Sequence, residues 1–251
     1  MLAAEVCGPG CMPRAFLLLA KTSGCMEVKL NNLTEGRFDL ICRVISAALF
    51  TSHGVRRNSS IFVHLGGSLP HRTLAVHGPE VKHWRPDERG GACLLQRLFQ
   101  AGGRPRGGEE SGSKEEKCLR GMSLTDESLY SAVAAALKYL QVTDARPCIL
   151  ILHPDGLPMH EVVDAQTAPL LVLGDDAGME EDALGEVQRA ALHCNVPVHC
   201  VSLGPVLLLG SHACVLAHYF MDVLHSCPAS GQKVAEAHHS ISESRKVQHL
   251  Q

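Results

Sequence analysis

From Pro147 onward the chain alternates near-continuous apolar runs with amphipathic ones. The strand-like runs are "CILILHPDG", "APLLVLGDDAG" and "VPVHCVSLG"; the helical ones are "EEDALGEVQRAALHCN" and the closing "PVLLLGSHACVLAHYFMDVLH". A strand that is apolar on both faces has no side to show to water. Such strands belong in a parallel sheet covered by helices above and below. That pattern sets the expected class as α/β, with a mostly parallel sheet flanked by helices. In an open sheet of this kind ligands bind beyond the carboxyl ends of the strands. Three loops are candidates there: Leu152–Gly156, Leu173–Gly178 and Ser202–Ala213.

The earlier residues supply the rest of the sheet. Arg14–Thr22, with "AFLLLA" at its centre, reads as a buried first strand; the apolar run is too short for a secretory signal and leads straight into Lys21. "TEGRFDLICRVISAALFTS" predicts a helix with Thr34 as N-cap and a buried stripe of Phe38, Ile41, Ile45, Ala48 and Leu49. "SIFVHLGG" and "RTLAVHG" read as a hairpin, and "RPDERGGACLLQRLFQA" as a helix with Pro86 early. "LTDESLYSAVAAALKYLQV" reads as a helix opening on a capping box from Thr125 to Ser128. Residues 14–226 are thus expected to form one domain. A disordered extension over 1–13, a disordered Gly-rich insert over 102–117 and a polar tail over 227–251 complete the chain.

An apolar share of 45% over 251 residues supports a full core. No apolar run approaches the roughly 20 residues that span a bilayer, so no membrane partner is expected. The 11 cysteines are an odd number in a long chain, which argues against a disulfide scaffold. Cys42, Cys93, Cys148 and Cys194 sit singly in apolar segments, where a free thiol behaves as a small hydrophobe. A reduced, cytoplasmic protein is the expectation. The net charge of −3 hides an asymmetry: 11 Lys and Arg face 7 Asp and Glu over Met1–Arg89, but 4 face 13 over Cys118–Ser226. A basic half joined to an acidic half points to a polyanion meeting only one of them.

The three loops lack a G-x-G-x-x-G or a G-x-x-x-x-G-K-[ST], and their acidic "GDD" and "PDG" repel phosphate while tolerating a cationic ligand. Val206, Leu207, Leu208 and Leu209 run together where a loop should be polar. They either cover the core or wall a flat apolar ligand such as adenine. His193, Cys194, His199 and Cys200 are metal-ligand types, but strand alternation splits His199 from Cys200 and there is no C-x-x-C pair; no metal is expected. A G-x-S-x-G elbow for a serine nucleophile is also lacking.

The stretch "GRFDLICRVISAALFTSHGVRR", then "FVHLGG" and "RPDERGGA", and later "ILILHPDG", "PLLVLGDDAG", "VSLGP" and "LAHYFMD", resembles in residues and order the TrmY family of tRNA pseudouridine N1-methyltransferases. The likeness runs from about Arg14 to Leu224, interrupted by the Gly-rich insert. It implies a SPOUT fold, whose C-terminal strands thread a trefoil knot against the general rule that chains avoid knots. It also implies S-adenosyl-L-methionine as cofactor, held in the knot, and tRNA as partner, methylated at N1 of a T-loop pseudouridine. A homodimer with the knot at its interface is implied as well. Carried over by position, cofactor contacts fall on Leu152, Gly174, Leu203, Gly204, Pro205, Val206, Leu207 and Leu208, with Ala213 and Cys214 in the last loop. Gly204 and Leu207 stand where the archaeal members commonly carry Ser and Glu, and Ala213 where the family often has Cys. A pseudouridine methyltransferase acting on rRNA or another tRNA site, or a non-catalytic RNA-binding relative, is the alternative.

Under that resemblance Arg37, Arg43, Arg56 and Arg57 grip RNA phosphates, and Arg85 and Arg89 extend the surface. Asp39 and Asp87 are candidate bases for the N1 proton or partners that orient arginines. The plainer readings are a dipole-stabilised helix acid for Asp39 and a helix C-cap for Arg56 and Arg57. His53 is read as structural.

Overall fold

The computed structural model describes residues 12–21, 27–67, 71–102, 119–141, 145–175 and 177–226. The expected extension (but for its last two residues), the tail and all but the first residue of the insert lie outside the described residues.

Strand β1 (Arg14–Lys21) is buried along all but its last residue, which places it mid-sheet. It pairs in parallel with β4 (Ser59–Gly66) on one side and β8 (Thr167–Gly174) on the other. Next to β8 comes β7 (Arg146–Pro158) and then β9 (Val198–Ser202), all parallel. Beyond β4, β5 (Arg72–His77) and β6 (Met122–Thr125) run antiparallel and close the seven-stranded order β6-β5-β4-β1-β8-β7-β9. A separate two-stranded hairpin joins β2 (Phe50–Thr51) to β3 (Gly54–Val55).

Alternation along the strands builds two cores. Phe16, Leu18, Ile61, Val63, Leu150 and Leu171 face α1 (Phe38–Leu49), α2 (Glu88–Gln100) and α6 (Gly210–Ser226). Leu17, Leu19, Phe62, Ile149, Leu170 and Val172 face α3 (Leu129–Leu140) and α5 (Glu181–His193) on the other side. A one-turn α4 (Met159–Val162) follows β7.

Several local expectations need correction. Thr34 does not cap α1: Gly36 (φ 76°) and Arg37 (φ 59°) lie in the left-handed region, so a 3-10 turn, Glu35–Arg37, precedes a helix that begins only at Phe38. Thr125 ends strand β6, and the cap of α3 is Ser128, whose hydroxyl accepts from the Ser131 amide at 3.2 Å. Pro86 lies ahead of α2, because Asp87 is its N-cap and accepts from the Gly90 amide at 2.6 Å. The loop expected over 152–156 is a bulge within β7: Leu152 and Leu157 both pair with Val201.

A buried polar knot of side chains fastens α6 to the amino end of the sheet. Arg14, 1% exposed, donates to Asp222 at 2.8 Å and to the His218 Nδ1 at 3.1 Å. Arg56 pairs with the same carboxylate at 2.7 Å. Burial, with Arg56 and Arg14 adding to it, pushes the His218 imidazole down to about 3. The ring is therefore neutral, its Nδ1 accepting from Arg14 and its Nε2–H donating to the Ala48 carbonyl at 2.8 Å. No helix among the described residues is long and apolar enough to cross a membrane.

Candidate active site at the carboxyl ends of the strands

Helices α1 and α6 both descend from the carboxyl end of the sheet. Gly210, the first residue of α6, fits between them and β8: a Cβ there would stand 3.1 Å from Leu173 Cδ1 and 3.3 Å from Val44 Cγ2. The loop 203–209 is thereby moored beside the turn of α1 that carries Arg43. Leu203 packs against the core, but Val206, Leu207, Leu208 and Leu209 are 69%, 80%, 38% and 60% exposed. The run does not cover the core; it presents an apolar wall. Gly204 has φ 132°, and nothing lies within 4 Å of where its Cβ would be. The Ser202 hydroxyl, donating to the Gly204 carbonyl at 3.0 Å and accepting from its amide at 3.2 Å, sets this open turn.

The other expected contact residues are placed differently. Leu152 packs partly buried at the end of regular β7 pairing, and Gly174 ends β8. The bare Cα of Gly174 serves the chain itself: a Cβ would lie 2.8 Å from the Gly178 backbone. Asp175 holds this turn to β1, accepting from the Lys21 amide at 2.6 Å. Ala213 is buried, and Cys214 is fully buried in the core, where burial drives its thiol pKa upward.

A charged cluster crowns α1 on the same rim. Asp39 accepts from Arg43 at 2.9 Å, and Arg43 also donates to Glu88 of α2 at 2.9 Å. The Glu88 hydrogen bond is the main cause that holds the Arg43 guanidinium above its ordinary pKa. The other Asp39 oxygen, Oδ1, is buried with no hydrogen-bond partner among the described residues; its nearest cation is Arg37 Nε at 3.7 Å. Trp84 brings α2 to this position. It is wedged between the helices, its indole donating to Ser46 at 3.4 Å and its ring 2.7 Å from the Cβ position of Gly91. Cys42, behind the cluster, is pushed up to about 12 by burial and by Glu88 and Asp39, so it is a protonated packing group and not a nucleophile.

The structure therefore divides the arginines. Arg37, Arg43, Arg85 and Arg89 gather at the carboxyl rim, the last two exposed and without an ion-pair partner among the described residues. Arg56 and Arg57 lie at the amino end, a strand length of roughly 25 Å away. There Arg56 holds Asp222, and Arg57 donates to the Gly78 carbonyl at 2.7 Å. Glu88 is the residue that sequence reasoning passed over. Its signal was present in "RPDER", whose glutamate stood among residues read for their arginines. Among the described residues no group of three His, Cys, Asp or Glu side chains can hold a metal ion.

A family profile described as "Putative SAM-dependent RNA methyltransferase" matches residues 13–226. The chain is 30% identical over 224 residues to a tRNA (pseudouridine(54)-N(1))-methyltransferase of Thermococcus gammatolerans, covering 86% of this chain and 100% of the relative. It is 28% identical over 206 residues to the protein of the same name from Methanosarcina mazei, covering 81% and 86%. Among solved structures it is similar to Archaeoglobus fulgidus Nep1 bound to S-adenosylhomocysteine, with a TM-score of 0.56, 14% identity and coverage of 86% and 100%.

Proposed function

The chain belongs to the family of putative SAM-dependent RNA methyltransferases, and we propose on that footing that it methylates N1 of pseudouridine 54 in tRNA, as the names of its relatives describe for them. The observation that carries the reading is a juxtaposition. An open glycine turn with an apolar wall and an arginine–carboxylate cluster stand on one rim of the sheet, joined through Gly210 and Val44.

The residues present fit S-adenosylmethionine. The bare face of Gly204 and the exposed side chains of Val206, Leu207 and Leu208 suit a flat adenine. Bound there, the cofactor supplies an electrophilic methyl group for in-line displacement. The protein's part is then chiefly to position the reactants. Arg37, Arg43, Arg85 and Arg89 hold the RNA backbone, and the target base leaves its stack to reach the rim. N1 must lose its proton as the new bond forms. The Asp39 carboxylate, flanked by Arg37 at 3.7 Å, is the acceptor we assign; Arg43, itself held by Glu88, fixes its orientation. Asp87 caps α2 and positions the "RPDER" turn.

A homodimer and a C-terminal trefoil knot belong to the same proposal. The exposed run 206–209 adjoins Val215 (58%) and Tyr219 (61%) on the outer face of α6, and an apolar stripe of this kind is suited to a second copy. Free thiols among the described cysteines and a tRNA substrate fit a reducing cytoplasm. The reading is tested by calorimetry with S-adenosylhomocysteine. The wild type is expected to bind it and Val206→Asp, which puts a carboxylate into the apolar wall at an exposed position, to lose it while keeping its melting temperature. Equal affinity in the two proteins sinks the assigned site.

A further inference from the structure

On the opposite face of the sheet from α1 and α6 there is a cavity of about 360 Å³, between the starts of α3 and α5. It opens at the carboxyl ends of β1 and β4, where the sheet order turns from β4 on one side of β1 to β8 on the other. Such switch points are where open α/β sheets bind ligands, and the volume falls in the range of small-molecule sites. The arginine cluster and the 203–209 loop use none of it.

Its walls have a definite chemistry. The rings of His64 and His71 lie on one side, 5.7 Å apart and tilted by 35°. His64 is 8% exposed; its Nδ1 is 3.2 Å from the Thr73 hydroxyl, and its Nε2 has no hydrogen-bond partner among the described residues. Burial, and then His71, push its imidazole down to about 4, so it is a neutral ring at pH 7. Glu180, Asp182 and Glu186 of the α5 region line the other side. The cation on the rim, Lys21, is paired with Glu180 at 3.0 Å. A phosphate meets three carboxylates here and is disfavoured. A flat ring carrying amino hydrogens meets imidazole to stack on and carboxylates to donate to.

We propose that this cavity is a second base subsite, which receives one amino-bearing nucleobase (adenine, cytosine or guanine) of the substrate RNA strand near the target pseudouridine. The proposal rests on the RNA-methyltransferase reading above. Gly178 links the two places: it lines the cavity, and it belongs to the turn packed on Gly174. An RNA crossing the rim therefore presents the target to one face of the sheet and a neighbouring base to the other.

The test uses the full chain and a T-loop RNA containing pseudouridine, with each flanking base replaced in turn by an abasic residue. Removing one amino-bearing base is expected to weaken binding to wild type about tenfold, the scale of a lost base–aromatic stack. His71→Ala, an exposed position, should be nearly insensitive to that same removal. Replacing only the amino group by hydrogen should weaken wild type but not Asp182→Asn. If every base removal costs wild type and both variants alike, the cavity holds no base and the proposal falls. Adenosine, cytidine and guanosine are also titrated alone. Saturable binding of one of them that His71→Ala abolishes, without any difference on RNA, assigns the cavity to a free nucleoside and overturns the strand as its source. S-adenosylhomocysteine binding and methyl transfer are measured on the same wild-type preparation. Their absence defeats the methyltransferase reading, whereas their presence with a failed base scan defeats only the subsite.

Discussion

Asp39 and Asp222 are two carboxylates each held by two arginines, one at either end of the sheet, and they separate catalysis from stability. If Asp39 takes the N1 proton, Asp39→Asn lowers the single-turnover methylation rate by about 10²-fold or more, most strongly at low pH, and leaves tRNA and S-adenosylhomocysteine affinities near wild type. A fall in tRNA affinity of the same size would make it only an orienting group. Arg56→Ala removes a partly buried pair with Asp222, so a loss of about 1–2 kcal/mol in denaturant unfolding is expected, with tRNA affinity unchanged. His218 and His64 give a further check. Their folded pKa values, about 3 and about 4, lie below the ordinary 6.5. The unfolded chain therefore binds these protons first as pH drops. Stability should be level above pH 6.5 and fall between about 6.5 and 4, by at most about 1.4 kcal/mol per pH unit for each histidine. Burial works against the Asp222 carboxylate, but Arg56 and Arg14 hold it below its usual range, so its own contribution is lost only at still lower pH. A urea midpoint that stays constant from pH 7 to pH 5 would contradict neutral burial of the two rings.

At the scale of elements, two glycines on the same rim are required for different reasons. A Cβ at Gly156 would stand 2.5 Å from the Val201 backbone, because β9 runs directly against the β7 bulge. Gly156→Ala should therefore lower the melting temperature by several degrees through that clash, and Gly204→Ala should lower it too, because at φ 132° a Cβ strains the backbone although nothing lies in its way. Differential scanning calorimetry of the pair decides this. Gly174→Leu is expected to lower the melting temperature as well as cofactor affinity, since Gly178 occupies the space. The long apolar strands and the helices between them were legible because their periodicity is an average over many residues. β6 was missed because four residues, "MSLT", carry too little pattern and their pairing with β5 spans more than forty residues of chain. The cap of α1 was misread because Gly36 and Arg37 turn left-handed, a backbone choice that a plausible Thr34 does not reveal. The basic cluster was half legible. Its arginines were visible as residues, but only the topology shows that Arg56 and Arg57 lie at the far end.

For the whole molecule, the apolar run 206–209 and the stripe Val215–Tyr219 leave a surface that a lone chain would expose to water. Leu207→Asp combined with Val215→Asp should convert a dimer into monomers by light scattering at micromolar concentration, while a wild type that is already monomeric and active would remove the dimer from the account. The seven-stranded sheet, the loop 203–209 and the Asp39–Arg43–Glu88 cluster together support methyl transfer to N1 of pseudouridine in tRNA. The most direct test incubates the purified protein with S-adenosylmethionine and two T-loop RNAs, identical except for pseudouridine or uridine at position 54, the position named for the relatives, and identifies the nucleosides by mass spectrometry. Pseudouridine-specific methyl transfer yields N1-methylpseudouridine from the first RNA and no methylated product from the second. Methylation of both RNAs alike, or of neither while the cofactor binds, would contradict it.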